Sequence, residues 1–144
     1  MFGFIFALLA GFFVSLQSAV NSTLNQKIGV WPSTALIHFI GFVFAVILMF
    51  IFSKNIDFKP AFTLNKIYLT GGLLGVLIIS SVVMSYGLLG ASLTTILMLF
   101  SQVITSAVID TKGLLGMNKM PFTSQKLFGI IIIFIGIIVF NINK

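Results

Sequence analysis

The 144-residue chain contains few ionisable or reactive side chains. It has no cysteine, arginine or glutamate, a single histidine at His38, and only two acidic residues, Asp57 and Asp110. Without cysteine, a disulfide framework and a thiolate metal site are excluded. One histidine and two aspartates supply neither a hydrolytic constellation nor a metal cluster, so we expect no enzyme activity, no cofactor and no metal.

Most of the chain is apolar. Hydrophobic residues make up 59% of it and charged residues only 7%, whereas a soluble domain carries about 25% charged residues. The composition therefore predicts an integral membrane protein. The net charge of +6 comes from eight lysines that lie between the apolar runs, which indicates membrane-flanking charges and not a nucleic-acid surface. The first run lacks a basic leader and a cleavage site, so we interpret it as a retained helix.

Hydropathy predicts a single all-α integral membrane domain over residues 1–144. A membrane-spanning helix needs about 20 mostly apolar residues, and lipid leaves the backbone no alternative to a helix. The predicted transmembrane helices cover about 2–26, 33–52, 67–88, 91–109 and 127–141. Gly87 and Gly90 are expected to form a tight reversal between the third and fourth helices. Thr63 and Thr123 are expected to cap the third and fifth.

The distribution of lysines predicts the orientation. Five spans place the termini on opposite sides, so Lys27 and Lys144 lie on one side of the membrane. The other six lysines then share the side of the N-terminus: Lys54, Lys59, Lys66, Lys112, Lys119 and Lys126. By the positive-inside rule this side is cytoplasmic and the C-terminus is outside. A six-to-two bias also favours insertion in one direction only.

Polar side chains occur inside the predicted spans. Gln17, Asn21 and Asn25 are spaced i, i+4, i+8 and form one stripe. Gln17 lies about 22 Å along its span, past the midplane. The second span places His38 at a similar depth, and the fourth carries Gln102 near its middle. The candidate substrate-path residues are Gln17, Asn21, Gln102, Asn25, His38 and Thr105.

Each of these polar groups also has a purely structural interpretation. Polar residues in membranes face a water-filled cavity or bond neighbouring helices. We favour a cavity lining for the amide stripe and helix packing for serines and threonines. His38 is either a proton-coupling residue, a neutral imidazole bonded to a neighbouring carbonyl, or an interfacial residue. Asp110 lies close to Lys112 in the sequence, at the end of the fourth span. We favour an interfacial ion pair or a role in ordering the following loop for this residue.

Glycines and aromatics predict how the helices pack. Gly71 and Gly75 form a small-xxx-small pair, and Gly129 and Gly136 lie seven residues apart on the last span. All four allow close helix approach. Trp31 is typical of an interfacial anchor, and Pro32 suits the first turn of the second helix.

Two segments resemble the DUF606 (YdcZ-like) family of the drug/metabolite transporter (DMT) superfamily. They are LQSAVNSTLNQKIGVWPSTALIHFIGF and SQVITSAVIDTKGLLG, the latter followed by Pro121 and a final apolar helix. The matching positions are Gln17, Asn21, Leu24, Gly29, Ala35, Phe39, Gly41, Gln102, Asp110, Gly113 and Gly116. The basic residues that this family often carries after its first helix are reduced here to Lys27.

The resemblance implies one half of a ten-helix transporter in the bacterial inner membrane. Related folds build a substrate path from two inverted repeats, so the chain is expected to form an antiparallel dimer. The lysine bias favours an oppositely oriented paralogue over a second copy of the same chain. The partners expected are membrane lipid and an unknown small polar metabolite or drug-like solute.

Two functions follow from these patterns. The first is a secondary transporter subunit working by alternating access. The absence of a carboxylate in the middle of the membrane counts against the exchange mode of the small multidrug resistance proteins. The second is a non-transporting membrane subunit or assembly factor whose polar residues only hold helices together.

Overall fold

The computed structural model describes residues 2–142, and this part of the chain is helical with no β-strand. Five helices or helical runs are long and apolar enough to cross a membrane: Phe2–Ile28, Val30–Phe52, Lys66–Leu89, Ala91–Lys112 and Ser124–Asn141. In order, the α-helices are α1 (Phe2–Ile28), α2 (Val30–Phe52), α3 (Lys59–Thr63), α4 (Gly71–Leu89), α5 (Ala91–Lys112) and α6 (Ser124–Asn141), with 3₁₀ turns at Lys66–Thr70 and Leu114–Gly116. Each predicted span falls within one of the five.

The chain divides into two compact units, Met1–Leu88 and Leu89–Lys144. In the first unit α1 packs against α2, and in the second α5 packs against α6. The single domain of the sequence analysis stays a prediction. Lys144, one of the two lysines assigned to the outside, lies beyond the described residues.

The interior is polar and the exterior is apolar. Val83, with 1% exposure, is the one buried hydrophobic residue in the described part of the chain. The other buried side chains are small and polar: Ser18, Asn21, Ser22, Ser33, Thr34 and Ser80 in the first unit and Thr94 in the second. Phenylalanine, isoleucine and leucine cover the outside. A soluble protein buries such residues, whereas lipid solvates them, so this inverted pattern fits a bilayer.

Single glycines separate two pairs of consecutive helices. Gly29 lies between α1 and α2 with φ 85° and ψ 166°, and Gly90 lies between α4 and α5 with φ 79° and ψ 169°. Residues other than glycine hardly populate this backbone region. Gly90 thus uses the backbone freedom expected of it, and the tight reversal itself stays a prediction. Gly87 instead lies inside α4, so the prediction that it shapes the reversal is wrong.

The two predicted threonine caps differ. Thr123 caps α6, and its Oγ1 accepts a hydrogen bond from the Lys126 amide at 3.4 Å. Thr63 ends α3 and donates to the Pro60 carbonyl at 2.8 Å, so its predicted capping role is wrong. The Asn65 side chain takes that role by accepting from the Ile67 amide at 3.1 Å. An Asx cap is as favourable as a threonine cap and sits one residue from the 3₁₀ turn.

Candidate functional site

The amide stripe of α1 passes from an exposed to a buried environment. Gln17 is exposed, Asn21 is 7% exposed, and Asn25 is half-buried. Gln17 and Asn21 together line a shallow groove of about 570 Å³ with Phe13 and Val20. The Asn25 Oδ1 atom is enclosed and has no hydrogen-bond partner among residues 2–142. The stripe therefore offers unused hydrogen-bonding groups at more than one depth.

Three of the four buried serines of the first unit, Ser18, Ser33 and Ser80, are bonded within their own helices. The hydroxyl of Ser18 donates to the Val14 carbonyl at 2.7 Å, that of Ser33 to Val30 at 2.9 Å, and that of Ser80 to Val76 at 2.8 Å. Serine commonly back-bonds in this way inside helices. These hydroxyls are satisfied, so the serines act in packing through their small size.

Thr34 differs from these serines. Its side chain is buried, yet its Oγ1 atom has no hydrogen-bond partner in the described chain. An enclosed hydroxyl without a partner costs about 1–3 kcal/mol. Thr34 is thus a second buried group, beside Asn25, with hydrogen-bonding capacity left over for water, a solute or another chain.

His38 lies on α2 against a glycine of α4. Its Nδ1 atom is 2.9 Å from the Thr34 carbonyl oxygen, so Nδ1 carries the proton of this hydrogen bond. A Cβ atom placed on Gly75 would lie 3.2 Å from Nε2. This geometry matches the interpretation of His38 as an imidazole bonded to a neighbouring carbonyl. Proton coupling by His38 stays a prediction.

The four predicted packing glycines have different surroundings. Gly75 is the one approached by His38, whereas a Cβ atom on Gly71, Gly129 or Gly136 would meet nothing within 4 Å. Close helix contact through these three glycines stays a prediction.

A groove of about 480 Å³ runs between α5 and α6 in the second unit. Its polar lining consists of Gln102, Ser106 and Asp110 from one face of α5 and Lys126 from the first turn of α6. Apolar walls complete it, formed by Leu99, Val103, Ala107, Ile130 and Ile133, with Gly129 leaving space on the α6 side. The predicted site residue Gln102 thus lines the same groove as an acidic and a basic residue.

Asp110 makes no ion pair in residues 2–142, so the favoured pair with Lys112 is absent. The loop after α5 is instead ordered by the backbone carbonyl of Asp110, which accepts from the Met120 amide at 2.8 Å and the Gly113 amide at 3.3 Å. The carboxylate is left free to line the groove. These bonds involve the backbone of Asp110, so a loop-ordering role of its side chain stays a prediction.

Sequence reasoning missed Ser106 and Lys126 as groove residues. Gln102, Ser106 and Asp110 repeat the i, i+4, i+8 spacing of the α1 stripe, and that signal could have found Ser106. Nothing in the sequence marks Lys126, because its place depends on how α6 packs on α5. Thr105, the remaining candidate, is exposed on α5 and is not part of this lining.

A family model described as "Putative inner membrane exporter, YdcZ" matches residues 2–139, nearly the whole chain. The chain belongs to the YdcZ family. The resemblance found in the two sequence segments is therefore confirmed, and the protein is a multi-pass membrane protein of an inner membrane exporter family. Searches of curated proteins and of solved structures gave no match to this YdcZ-family chain.

Proposed function

We propose that this YdcZ-family chain is a subunit of a secondary transporter that moves a small polar solute across the inner membrane. The observation that carries the proposal is a set of polar groups with unused hydrogen-bonding capacity inside an otherwise apolar molecule. The enclosed Asn25 Oδ1 and Thr34 Oγ1 atoms lack partners, and Gln17 projects its amide from an apolar helix surface. Polar groups in a membrane normally face a bundle interior or a wet cavity.

The groove on α1 supports an assembly of two chains. Gln17 and Asn21 line a groove whose walls all come from α1 itself. An exposed amide facing hydrocarbon is costly, and a second set of helices lying over α1 removes that cost. We propose an antiparallel dimer, in which two inverted five-helix halves enclose the substrate path and operate by alternating access.

The lysine distribution supports the orientation of each half. Six lysines on one side and two on the other favour a cytoplasmic N-terminus and an external C-terminus. A chain with this bias pairs more readily with an oppositely oriented paralogue than with an inverted copy of itself. A reporter fused to the C-terminus tests the orientation, and a strong cytoplasmic signal would contradict it.

The expected activity is transport without catalysis. Amides and hydroxyls bind a polar solute by hydrogen bonds and supply no nucleophile or general base of suitable strength. Cofactor, metal and nucleic acid have no part in the proposal. The proposed path residues are Gln17, Asn21, Gln102, Asn25, His38 and Thr105.

Alanine variants of the α1 stripe test the proposal. Asn21→Ala and Gln17→Ala are expected to slow solute flux at least about tenfold in vesicles holding the assembled transporter, because each removes hydrogen bonds made in the path. Gln26→Ala is the matched control, since Gln26 is an exposed amide off the stripe. Its flux is expected to stay at the wild-type level.

A packing role for the polar residues is the competing function, and the self-bonded serines favour it. Ser18, Ser33 and Ser80 need no external partner, as expected for small residues that only hold helices close together. Cross-linking of the same variants separates the two functions. Loss of the dimer with unchanged flux per remaining dimer would identify the stripe as packing and overturn the transport role.

A further inference from the structure

The α5–α6 groove points to the class of solute, and this inference rests on the transport function proposed above. We infer that the groove binds a small zwitterion, a solute that carries an ammonium group, a carboxylate and an apolar remainder. In this arrangement the Asp110 carboxylate receives the ammonium group and the Lys126 ammonium receives the carboxylate. Nothing in the family description names a solute of this kind.

The two charges of the groove are unpaired, which is the first step of the argument. Asp110 and Lys126 line the same space, yet no ion pair joins them in the described chain. Opposite charges that only stabilise a helix pair gain most by direct contact. Two opposite charges that do not contact each other can instead bind a ligand with an ammonium group at one end and a carboxylate at the other. Such complementarity selects against ligands of a single charge.

The polar lining continues inward from the charges. Ser106 lies one turn from Asp110 along α5 and Gln102 two turns, about 12 Å from Asp110 at 1.5 Å per residue. All three line the groove. Hydrogen-bonding groups at successive depths suit a solute moving along the groove. The apolar walls from Leu99, Val103 and Ile133 suit the uncharged part of that solute.

The depth of Gln102 argues against a lipid headgroup, which carries the same pair of charges. Asp110 lies in the last turn of α5 and Lys126 in the first turn of α6, and the ends of membrane-spanning helices are expected near lipid headgroups. A phosphatidylethanolamine bound there places hydrocarbon chain against Gln102, which leaves that amide unsatisfied. We therefore assign the groove to a free zwitterionic solute.

Three ligands that share one apolar group test the inference on the wild-type chain. Free leucine carries both charges, 4-methylpentanoate lacks the ammonium group, and 3-methylbutylamine lacks the carboxylate. In calorimetry with the full chain purified in detergent, leucine is expected to bind about 10- to 100-fold more tightly than either analogue. Equal affinities for the three ligands would overturn the inference without any variant.

Two charge-removing variants assign the contacts. Asp110→Asn is expected to weaken leucine and 3-methylbutylamine binding at least about tenfold and to leave 4-methylpentanoate unchanged. Lys126→Gln is expected to weaken leucine and 4-methylpentanoate and to leave the amine unchanged. Lys112→Gln is the matched control, because Lys112 lines a separate apolar groove on α5 with Phe122. Asp110→Glu keeps the charge and is expected to restore most of the affinity.

A lipid-binding measurement and a transport measurement show which of the two hypotheses is wrong, the zwitterion site or the transport function. Dihexanoyl phosphatidylethanolamine that binds through Asp110 and Lys126 while leucine does not would overturn the solute assignment in favour of lipid. Leucine that binds through both residues but is not moved in vesicles would leave the site standing and contradict the transport function. Flux of another solute that depends on Asn21, without leucine binding, would leave transport standing and overturn the zwitterion site.

Discussion

The two units differ in the kind of polar side chain that lines their grooves: the α1 groove carries uncharged groups only, and the α5–α6 groove also carries charged ones. In Met1–Leu88 most buried side chains are uncharged polar groups: the hydroxyls of Ser18, Ser33 and Ser80 bond to carbonyls of their own helices, whereas Asn25 and Thr34 keep enclosed polar atoms without a partner in the described chain. In Leu89–Lys144 a carboxylate, an ammonium and an amide stay open along a groove. Enclosed polar groups of the first kind allow helices to approach closely, whereas open groups of the second kind remain available to a ligand. The role of a polar residue in a membrane span therefore depends on its hydrogen-bond partner, and the residue type alone does not reveal that role.

The strongest test of this contrast places the same substitution in both units. Ser33 is fully buried in the first unit and Ser106 is exposed in the groove of the second. Ser33→Leu is expected to destabilise the protein by about 3 kcal/mol, because extra carbon atoms overfill a packed interior. Ser106→Leu is expected to change stability by under about 0.5 kcal/mol. Unfolding in detergent measures both, and equal losses would erase the contrast.

A second test compares the glycines that join consecutive helices. Gly29→Ala and Gly90→Ala are each expected to cost about 2 kcal/mol, because both residues adopt a positive φ that side chains resist. The two losses should be similar, since the backbone angles are nearly the same. Gly41→Ala is the control, because Gly41 lies inside α2 with open space around it, and it is expected to be neutral or stabilising. A Gly29→Ala variant with an unchanged free energy of unfolding would contradict the positive φ of Gly29 between α1 and α2.

A third test compares a glycine that is in contact with one that is open. Gly75→Ala brings a methyl group to 3.2 Å from His38 Nε2, whereas Gly129→Ala meets nothing within 4 Å. Alanine in a helix gains about 0.5–1 kcal/mol over glycine. We expect Gly129→Ala to show this gain in thermal unfolding. The free energy of unfolding of Gly75→Ala should change less favourably, by about 1 kcal/mol relative to Gly129→Ala. Adding His38→Ala to Gly75→Ala should recover most of the difference, and no recovery would exclude His38 as the cause.

The smallest expected effect concerns helix capping. Thr123→Ala removes the hydroxyl that caps α6 and is expected to cost about 0.5 kcal/mol, the low end for a cap whose hydrogen bond is 3.4 Å long. Thr63→Ala serves as the comparison, since Thr63 caps no helix. Amide hydrogen exchange in the first turn of α6 should rise for the Thr123 variant alone. An equal rise there for both variants would contradict local capping.

The helices were predictable from the sequence because hydropathy and length determine them. The first and last residues of the helices were harder to predict. Hydropathy placed the start of the second helix at residue 33, whereas α2 begins at Val30, which confirms that Pro32 lies in its first turn. A proline is tolerated in the first turn, where its missing amide has no partner to lose. One glycine, Gly29, is then enough to separate two long helices, and no composition signal revealed it.

The candidate site was predictable in residue type but not in environment. The spacing of Gln17, Asn21 and Asn25 indicated one helix face, yet only the packing of α1 against α2 decides that Asn21 is buried and Gln17 is open. The groove shows the same limit. Asp110 and Lys126 are sixteen positions apart, and their shared space exists because α6 packs on α5 after an intervening loop. Local pattern carries no information about such contacts.

Because a single residue, Gly29, joins α1 to α2, the orientation of α2 depends on the number of residues between the two helices. Each residue added to a helix turns the following side chains by about 100°, and a corner of one residue has no slack to absorb that rotation. An insertion at Gly29 therefore turns the Ser33 and Thr34 face of α2 away from the interior of the first unit. The segments 53–65 and 113–123, being longer, take up extra residues without changing which face points where. Gly29 thus sets the direction in which each face of α2 points within the first unit.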